Sequence, residues 1–300
     1  MSTQPRIHLA TVTGITRLGP GMIRIHFGGE DLADYPTTGI GDEYVRLFFP
    51  DTPEEDIRMP FVTERGWDFP EGVEPAEMRT YTIRSHRPGA IDIDFVVHPG
   101  GIAAEWALAA KPGYQLALTQ PRDLYDRHAG ATAQVLIADE PALPAALRIA
   151  ELTAHLLPTR IICEIRGHGN ELVPVFPHGE PTPGVELTWL RGSGNGDRPS
   201  QIPDLLGRLD LPADGSTFVW VAGETRVTRA VRRYLRHDLG LPAESYRVVG
   251  YWTDREEEWS AGYAALDPAV RAQIDALYAS ELDVDDAVDR VDQILTDVGL

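Results

Sequence analysis

The hydrophobic period of this chain changes once, near residue 130, and no other feature constrains the fold as much. Before the change, residues 6–50 alternate apolar and polar side chains between turn signals at Gly14, Gly19-Pro20-Gly21 and Gly28-Gly29, the pattern of half-buried antiparallel strands. After it, Gln134-Val135-Leu136-Ile137-Ala138 is apolar without interruption, as expected of a strand covered on both faces of a parallel sheet. A chain of 300 residues with two periods is expected to form linked domains, because single cores stop growing at about 250–300 residues.

The first period predicts three or four short strands over 6–50. Residues 51–77, rich in Pro, Glu and Gly, show no sustained period and read as a long loop. Strand signal returns at 80–85 and 90–97 around the turn Arg87-Pro88-Gly89. A short helix over 102–110 then ends at Pro112-Gly113, and a strand over 114–119 closes a small antiparallel barrel. In the second period, Asp139-Glu140-Pro141-Ala142 opens a helix running to about 157. Further strands are expected at 161–166, 186–190, 218–222 and 246–250, with a helix over 226–239, which makes a βαβ domain. Residues 263–300 read as two acidic amphipathic helices with Val284, Val288, Val291, Ile294 and Leu295 on one face. The expected domains are 1–128, 129–262 and 263–300.

Charge narrows the partners. The net charge is −19. Residues 1–128 carry 12 basic and 19 acidic side chains, residues 129–262 carry 13 and 18, and residues 263–300 carry 2 and 9. Such a chain repels phosphate at long range, so nucleic acid and anionic membrane are poor partners, and any anionic ligand needs a local basic patch. No apolar run approaches the roughly 20 residues of a bilayer span. Met1-Ser2-Thr3-Gln4-Pro5-Arg6 leads into alternating strand rather than a signal core, so a soluble, cytoplasmic protein without membrane insertion is expected. The single cysteine, Cys163, lies in the apolar run Arg160-Ile161-Ile162-Cys163-Glu164-Ile165. It reads as a strand residue and leaves no disulfide or cysteine-ligated metal centre.

One ordered stretch carries chemistry. Arg79-Thr80-Tyr81-Thr82-Ile83-Arg84 offers a guanidinium for phosphate, an aromatic face for an isoalloxazine ring and a hydroxyl for a ring nitrogen. Pro99-Gly100-Gly101-Ile102-Ala103-Ala104-Glu105-Trp106 then offers bare backbone N–H groups at a helix start to a pyrophosphate. Alone, the Arg-x-Tyr-Thr strand reads equally as ordinary sheet surface; the ordered combination points to a flavin. Farther on, Asp139-Glu140 and Gly223-Glu224 follow predicted strands, where a doubly wound sheet presents ligand contacts. A Gly-x-Gly-x-x-Gly fingerprint is absent. Gly192-Ser193-Gly194-Asn195-Gly196 has the wrong spacing and reads as a flexible loop, and Arg226, Arg229, Arg232 and Arg233 read as a solvated helix face.

Together with Asp139-Glu140-Pro141-Ala142-Leu143-Pro144, Trp220-Val221-Ala222-Gly223-Glu224 and Gly250-Tyr251-Trp252, these stretches resemble the siderophore-interacting proteins over about residues 6–252. That family comprises flavin-dependent ferric-siderophore reductases of the ferredoxin-reductase-like superfamily. The resemblance implies a Greek-key antiparallel β-barrel binding FAD, a doubly wound α/β domain binding NADH or NADPH, and here a C-terminal helical extension. It implies Arg79 on the FAD phosphates, Tyr81 stacked on the isoalloxazine and Thr82 near flavin N5, with Thr80, Arg84 and Val97 alongside. His98, Gly101, Ile102, Ala103, Ala104 and Trp106 complete the implied flavin set. Asp139, Glu140, Ala142, Ala222, Gly223 and Glu224 form the nucleotide set. Ala104 stands where the family usually has a small hydroxyl residue, removing a hydrogen bond worth about 1–2 kcal/mol, and Ala138 replaces a common glycine.

The implied chemistry passes a hydride from nicotinamide to flavin and single electrons on to Fe(III) in an oxygen-rich chelate, releasing Fe(II). It needs no catalytic acid or base and no protein metal ligand. A ferric siderophore is the implied substrate, and a ferredoxin is a further candidate electron donor. Family members use a basic triad at the substrate face. Arg46 and Arg122 match two of its positions, although Arg46 reads equally as a strand residue in a surface ion pair. The third usually follows Gly-Tyr-Trp, where this chain has Thr253-Asp254-Arg255. Either Arg255 substitutes, or the substrate is less negative, as a neutral hydroxamate chelate is. Two alternatives stand: a flavin reductase or diaphorase with another acceptor, and a flavoprotein that binds ferric siderophore without turnover.

Overall fold

Alternating burial builds the first domain. In the computed structural model, which describes all residues except 1–5, 65, 99, 170, 173–181, 281 and 283, this domain holds eight strands. They are β1 (His8–Gly19), β2 (Met22–Gly28), β3 (Tyr44–Phe49), β4 (Phe61–Thr63), β5 (Gly66–Asp68), β6 (Glu77–Arg87), β7 (Ala90–Val96) and β8 (Gln115–Leu118). The readings of residues 1–5 and of Pro99 lie outside the described residues. Six strands close an antiparallel barrel in the order β1-β2-β7-β6-β3-β8. Ile91, Ile93 and Phe95 of β7 are fully buried and meet Ile23, Ile25, Val45 and Leu47 inside. Asp92 and Asp94, between them, turn outward to Arg87 and Arg24.

Gly14 does not end a strand; it sits at a bulge inside β1, which bends the hairpin without breaking it. Residues 51–77 are not a featureless loop, since β4 and β5 pair there. Three residues each is too short to show a period, and the hairpin is held by side chains: Trp67 and Phe69 pack edge-on against Phe48 at 5.6 and 6.0 Å. Helix α1 (Ile102–Ala109) packs on the barrel with Trp106 among Phe27, Phe49 and Phe95 at 6.2, 5.8 and 6.1 Å.

The second domain comprises β9 (Ala133–Ala138), α2 (Leu143–Thr153), β10 (Thr159–Ile165), β11 (Val185–Arg191), α3 (Ile202–Leu206), β12 (Thr217–Glu224), α4 (Thr225–Arg233) and β13 (Tyr246–Trp252). The strands are parallel in the order β11-β10-β9-β12-β13. Helices cover both faces. Leu136 and Ala138 of β9 pack with Leu143, Leu147 and Ile149 of α2, and Val135 and Ile137 pack with Ile202 of α3 and Val231 of α4. Cys163 is fully buried, and burial pushes its thiol well above the usual value.

The C-terminal extension holds the two expected helices, α6 (Pro268–Tyr278) and α7 (Val284–Asp297), and a further helix, α5 (Glu256–Ala264), leads into it. Ile274, Val291 and Leu295 form its small core with Trp259 and Leu277; the side chain of Val284 lies outside the described residues. The acidic face of α7 meets α4 and the turn after it. Arg229 pairs with Asp292 at 2.9 Å, Arg236 with Asp286 and Asp289, and His237 with Asp289 at 3.0 Å. The arginine-rich face that reads as solvated is therefore partly covered, by carboxylates about 50–60 residues away in sequence.

Buried ions join barrel and sheet. Arg148 of α2 donates to the Ile83 carbonyl and to Glu43, both at 2.5 Å, and Glu43 is fully buried. Arg84 of β6 makes a two-pronged pair with Glu151 at 2.5 and 2.7 Å. Arg166 donates to the Val97 carbonyl at 3.2 Å. Removing one partner of such a pair leaves a desolvated charge, at a cost of about 3–5 kcal/mol. Arg148→Ala is expected to lose about that much in urea unfolding, and Arg148→Met combined with Glu43→Gln, which keeps the acceptor for Thr37 and Thr38, to recover part of it.

Candidate functional site

Consecutive residues of β6 point to opposite sides. Tyr81 lies at the barrel edge, half-buried, with its ring 4.5 Å from Phe95, and burial raises its phenol pKa. Thr82, next in the strand, is buried near Tyr251 of β13. Arg79 is part-exposed and bonds only locally, to Glu77 at 3.0 Å and the Met78 carbonyl at 2.8 Å; Thr80 is exposed. Arg84 does not face this group, because Glu151 holds its guanidinium.

The start of α1 fits a pyrophosphate on its own geometry. Gly101 caps the helix in extended conformation without a side-chain cap, so the N–H groups of the first turn lack a capping side chain. Ala103 and Ala104 beneath them are buried. A Cβ on Gly101 would stand 2.4 Å from the His98 imidazole, so only glycine lets that ring lie against the helix start. Uncapped N–H donors at a positive helix end, bordered by an imidazole, form an anion site. Trp106, by contrast, is 2% exposed and builds the barrel core.

The second half of the site is a cavity of about 490 Å³ lined by Asp139, Asn195, Arg198, Gly223, Glu224 and Arg226 among others. It opens at the carboxyl ends of β9 and β12, where the connection after β9 runs to one side of the sheet and the connection after β12 to the other, the usual ligand position in such sheets. Asp139 is its hub. The carboxylate accepts from Ala142 N at 3.2 Å, Glu224 N at 2.9 Å and Trp252 Nε1 at 2.6 Å, tying the ends of β9, β12 and β13 together. Burial outweighs those donors and raises its pKa to about 7. A Cβ on Gly223 would meet Asp139 Oδ2 at 2.7 Å. Glu224 caps α4 through Arg226 N and Val227 N. Glu140 is buried against Arg166, Ala222 lines the cavity, and Ala142 is buried at the start of α2.

The Gly192–Gly196 segment is a wall of this cavity rather than a free loop. Asn195 adopts a left-handed φ of 59°, accepts from Glu140 N at 3.0 Å and donates to the Glu164 carbonyl at 3.1 Å. An asparagine between two glycines was the available signal, since asparagine is enriched in that conformation. Arg198 and Arg226 also line the cavity, and Trp252 reaches it through Asp139; no spacing in the sequence marks them.

The three candidate substrate arginines lie in different settings. Arg46 stacks its guanidinium over Trp67 at 5.3 Å and reaches Met78 Sδ at 3.6 Å. Arg122 is exposed and exchanges backbone bonds with Tyr44. Arg255 borders the nucleotide-side cavity and pairs with Asp254 and Glu258.

Comparison with known proteins follows the same two halves. Residues 11–125 match the family model of the siderophore-interacting FAD-binding domain, and residues 131–255 that of the siderophore-interacting protein. The NADPH-dependent ferric-chelate reductase of Escherichia coli is 29% identical over 249 residues, covering 82% of this chain and 93% of that protein. The ferric vibriobactin reductase ViuB of Vibrio cholerae is 27% identical over 244 residues, covering 79% and 86%. A siderophore utilization protein from T. fusca superposes with a TM-score of 0.72 at 28% identity, covering 84% of this chain and 94% of that one.

The titration of Asp139 has a checkable sign. Its folded value, about 7, lies above its ordinary value of 3.8, so between about pH 4 and pH 7 the native state binds the extra proton and this group's contribution to stability falls as pH rises. The unfolding free energy of wild type minus that of Asp139→Asn should therefore decline over that window, by up to about 4 kcal/mol, and level off above pH 8. Urea unfolding across pH reads this directly; a flat difference contradicts it.

Proposed function

The chain belongs to the siderophore-interacting protein family, and from that premise we propose a flavin-dependent reductase that passes electrons from NAD(P)H through FAD to a ferric siderophore. The observation that carries the reading is the pairing of two half-sites. An uncapped helix start on the barrel that carries Tyr81 fits a dinucleotide phosphate, and a cavity at the sheet switch point lies in the domain that Thr82 faces. The corresponding domains are 1–128 for FAD, 129–262 for the nicotinamide nucleotide and 263–300 as the extension.

Each residue has a definable task. Arg79 and the N–H groups of Ile102 to Ala104 hold phosphate, Tyr81 covers one face of the ring, and Thr82 supplies a hydroxyl at its edge. Asp139 shapes the nucleotide cavity from beneath by fixing the Gly223-Glu224 backbone. FAD supplies the conversion between two-electron transfer from a nicotinamide and one-electron transfer to iron. Hard oxygen donors hold Fe(III) far better than Fe(II), so reduction itself loosens the substrate iron.

Arg46 and Arg122 remain the basic candidates for the chelate. Arg255 borders the second-domain cavity with Asp254 and Glu258 beside it, which favours a chelate of low charge, such as a neutral hydroxamate, over a three-point basic clamp. A cytoplasmic location belongs to the proposal, since nicotinamide donors are found there; no described helix is long and apolar enough to cross a membrane.

Anaerobic stopped-flow tests the reading with NADH, NADPH and a reduced ferredoxin as donors, and with ferric hydroxamate and catecholate complexes as acceptors. The expected result is flavin bleaching by a nicotinamide nucleotide, then recovery of its absorbance on adding a ferric chelate, with colour in an Fe(II) trap. Bleached flavin that ferric chelates fail to reoxidise would overturn the proposal.

A further inference from the structure

The Tyr251 hydroxyl is buried and meets no hydrogen-bond partner, one of five buried side-chain polar atoms in that condition among the described residues. Its surroundings are well defined. Trp220 stands edge-on to the ring at 6.3 Å, Asp42, Asp139 and Tyr44 act on the phenol through space, and Thr82 lies beside it. Thr82 is close enough to perturb the phenol, yet the two hydroxyls do not meet in hydrogen-bonding geometry. Burial pushes the phenol far above its ordinary pKa, so it keeps its proton and remains a donor.

The strand end that carries Tyr251 is fixed on both sides. Trp252 Nε1 donates to Asp139 at 2.6 Å, and the Trp252 carbonyl accepts from Thr225 Oγ1 at 2.8 Å. An orphaned donor held so firmly beside a threonine hydroxyl calls for a function. A threonine hydroxyl has one proton and two lone pairs. To donate to an acceptor on a ring it must turn its proton outward, and a donor behind it then fills the lone pair left facing inward.

We infer that Tyr251 is a positioning residue of the flavin site, contributed by the second domain. Its O–H donates to Thr82 Oγ1 when the Thr82 hydroxyl engages the flavin ring, and so aims the Thr82 proton. The inference rests on the flavoprotein reading above and adds a residue that acts on the flavin through Thr82. It also couples the two domains at the ring, because Tyr251 and Asp139 share the same strand-end clamp.

The test uses the full-length protein stripped of flavin and titrated with FAD, read by flavin fluorescence and visible absorbance, beside thermal unfolding of the stripped protein. Tyr251→Phe removes an unpaired buried group, so the stripped variant should be as stable as wild type or more so. Its FAD Kd should nonetheless rise about five- to tenfold, with a shifted flavin absorption maximum. Thr82→Ala should also weaken FAD, and the double variant should bind no worse than Thr82→Ala alone. The inference is overturned by an unchanged Kd and spectrum in Tyr251→Phe, by losses that multiply in the double variant, or by a stripped Tyr251→Phe protein that melts earlier. Wild-type protein that binds no FAD would instead defeat the flavoprotein reading itself.

Discussion

The structure depends on the buried contact of Arg148 with Glu43 and the Ile83 carbonyl. Ile83 follows Thr82 and Tyr81 in β6, so the bond that docks α2 on the barrel ends one residue from the Thr82 hydroxyl and two from the Tyr81 ring. A charged pair in this position is a poor source of net stability, because desolvation offsets its attraction. It is a good source of register, since only one docking satisfies Glu43, Arg148 and the Ile83 carbonyl together. Arg84 with Glu151 and Arg166 with the Val97 carbonyl repeat the device, from β6 and from the residue after β7. A half-site on the barrel and a half-site on the sheet can serve one electron path only if their relation is fixed to well under the size of a ring.

Asp139 does for the sheet what Arg148 does for the junction. One carboxylate gathers backbone and indole N–H groups from three strand ends, and at the high-pH limit it does so as a buried charge. The cost of burying it appears as its raised pKa. The same clamp holds Trp252, next to Tyr251, and so links the wall of the second-domain cavity to the contact near Thr82.

Most of the architecture was legible in sequence because it rests on local periods. Alternation before residue 130 and continuous apolar strands after it yielded the barrel, the parallel sheet and their order. What escaped depends on contacts distant in sequence. Arg84 reads as a cofactor residue by its motif, but its partner is Glu151. Arg229 of α4 reads as solvated until Asp292 of α7 is placed on it, and Arg236 after α4 meets Asp286 and Asp289 of α7. The Asn195 loop lacks the spacing of a dinucleotide fingerprint, and its place follows instead from a left-handed asparagine bonded to Glu140 and Glu164. Arg255 has the expected charge, yet its place at the rim of the second-domain cavity, opposite residues of β12 and the Asn195 loop, follows only from the fold.

The central claim is that one flavin lies at this junction, its ring on Tyr81 and its edge at Thr82. A crystal structure of the FAD-loaded protein tests it most directly. The account predicts the isoalloxazine against the Tyr81 ring, the pyrophosphate at the start of α1, and a Thr82 hydroxyl bonded to both the ring and Tyr251. A flavin bound elsewhere, or a ring that leaves Tyr81 packed on Phe95 and untouched, would contradict it.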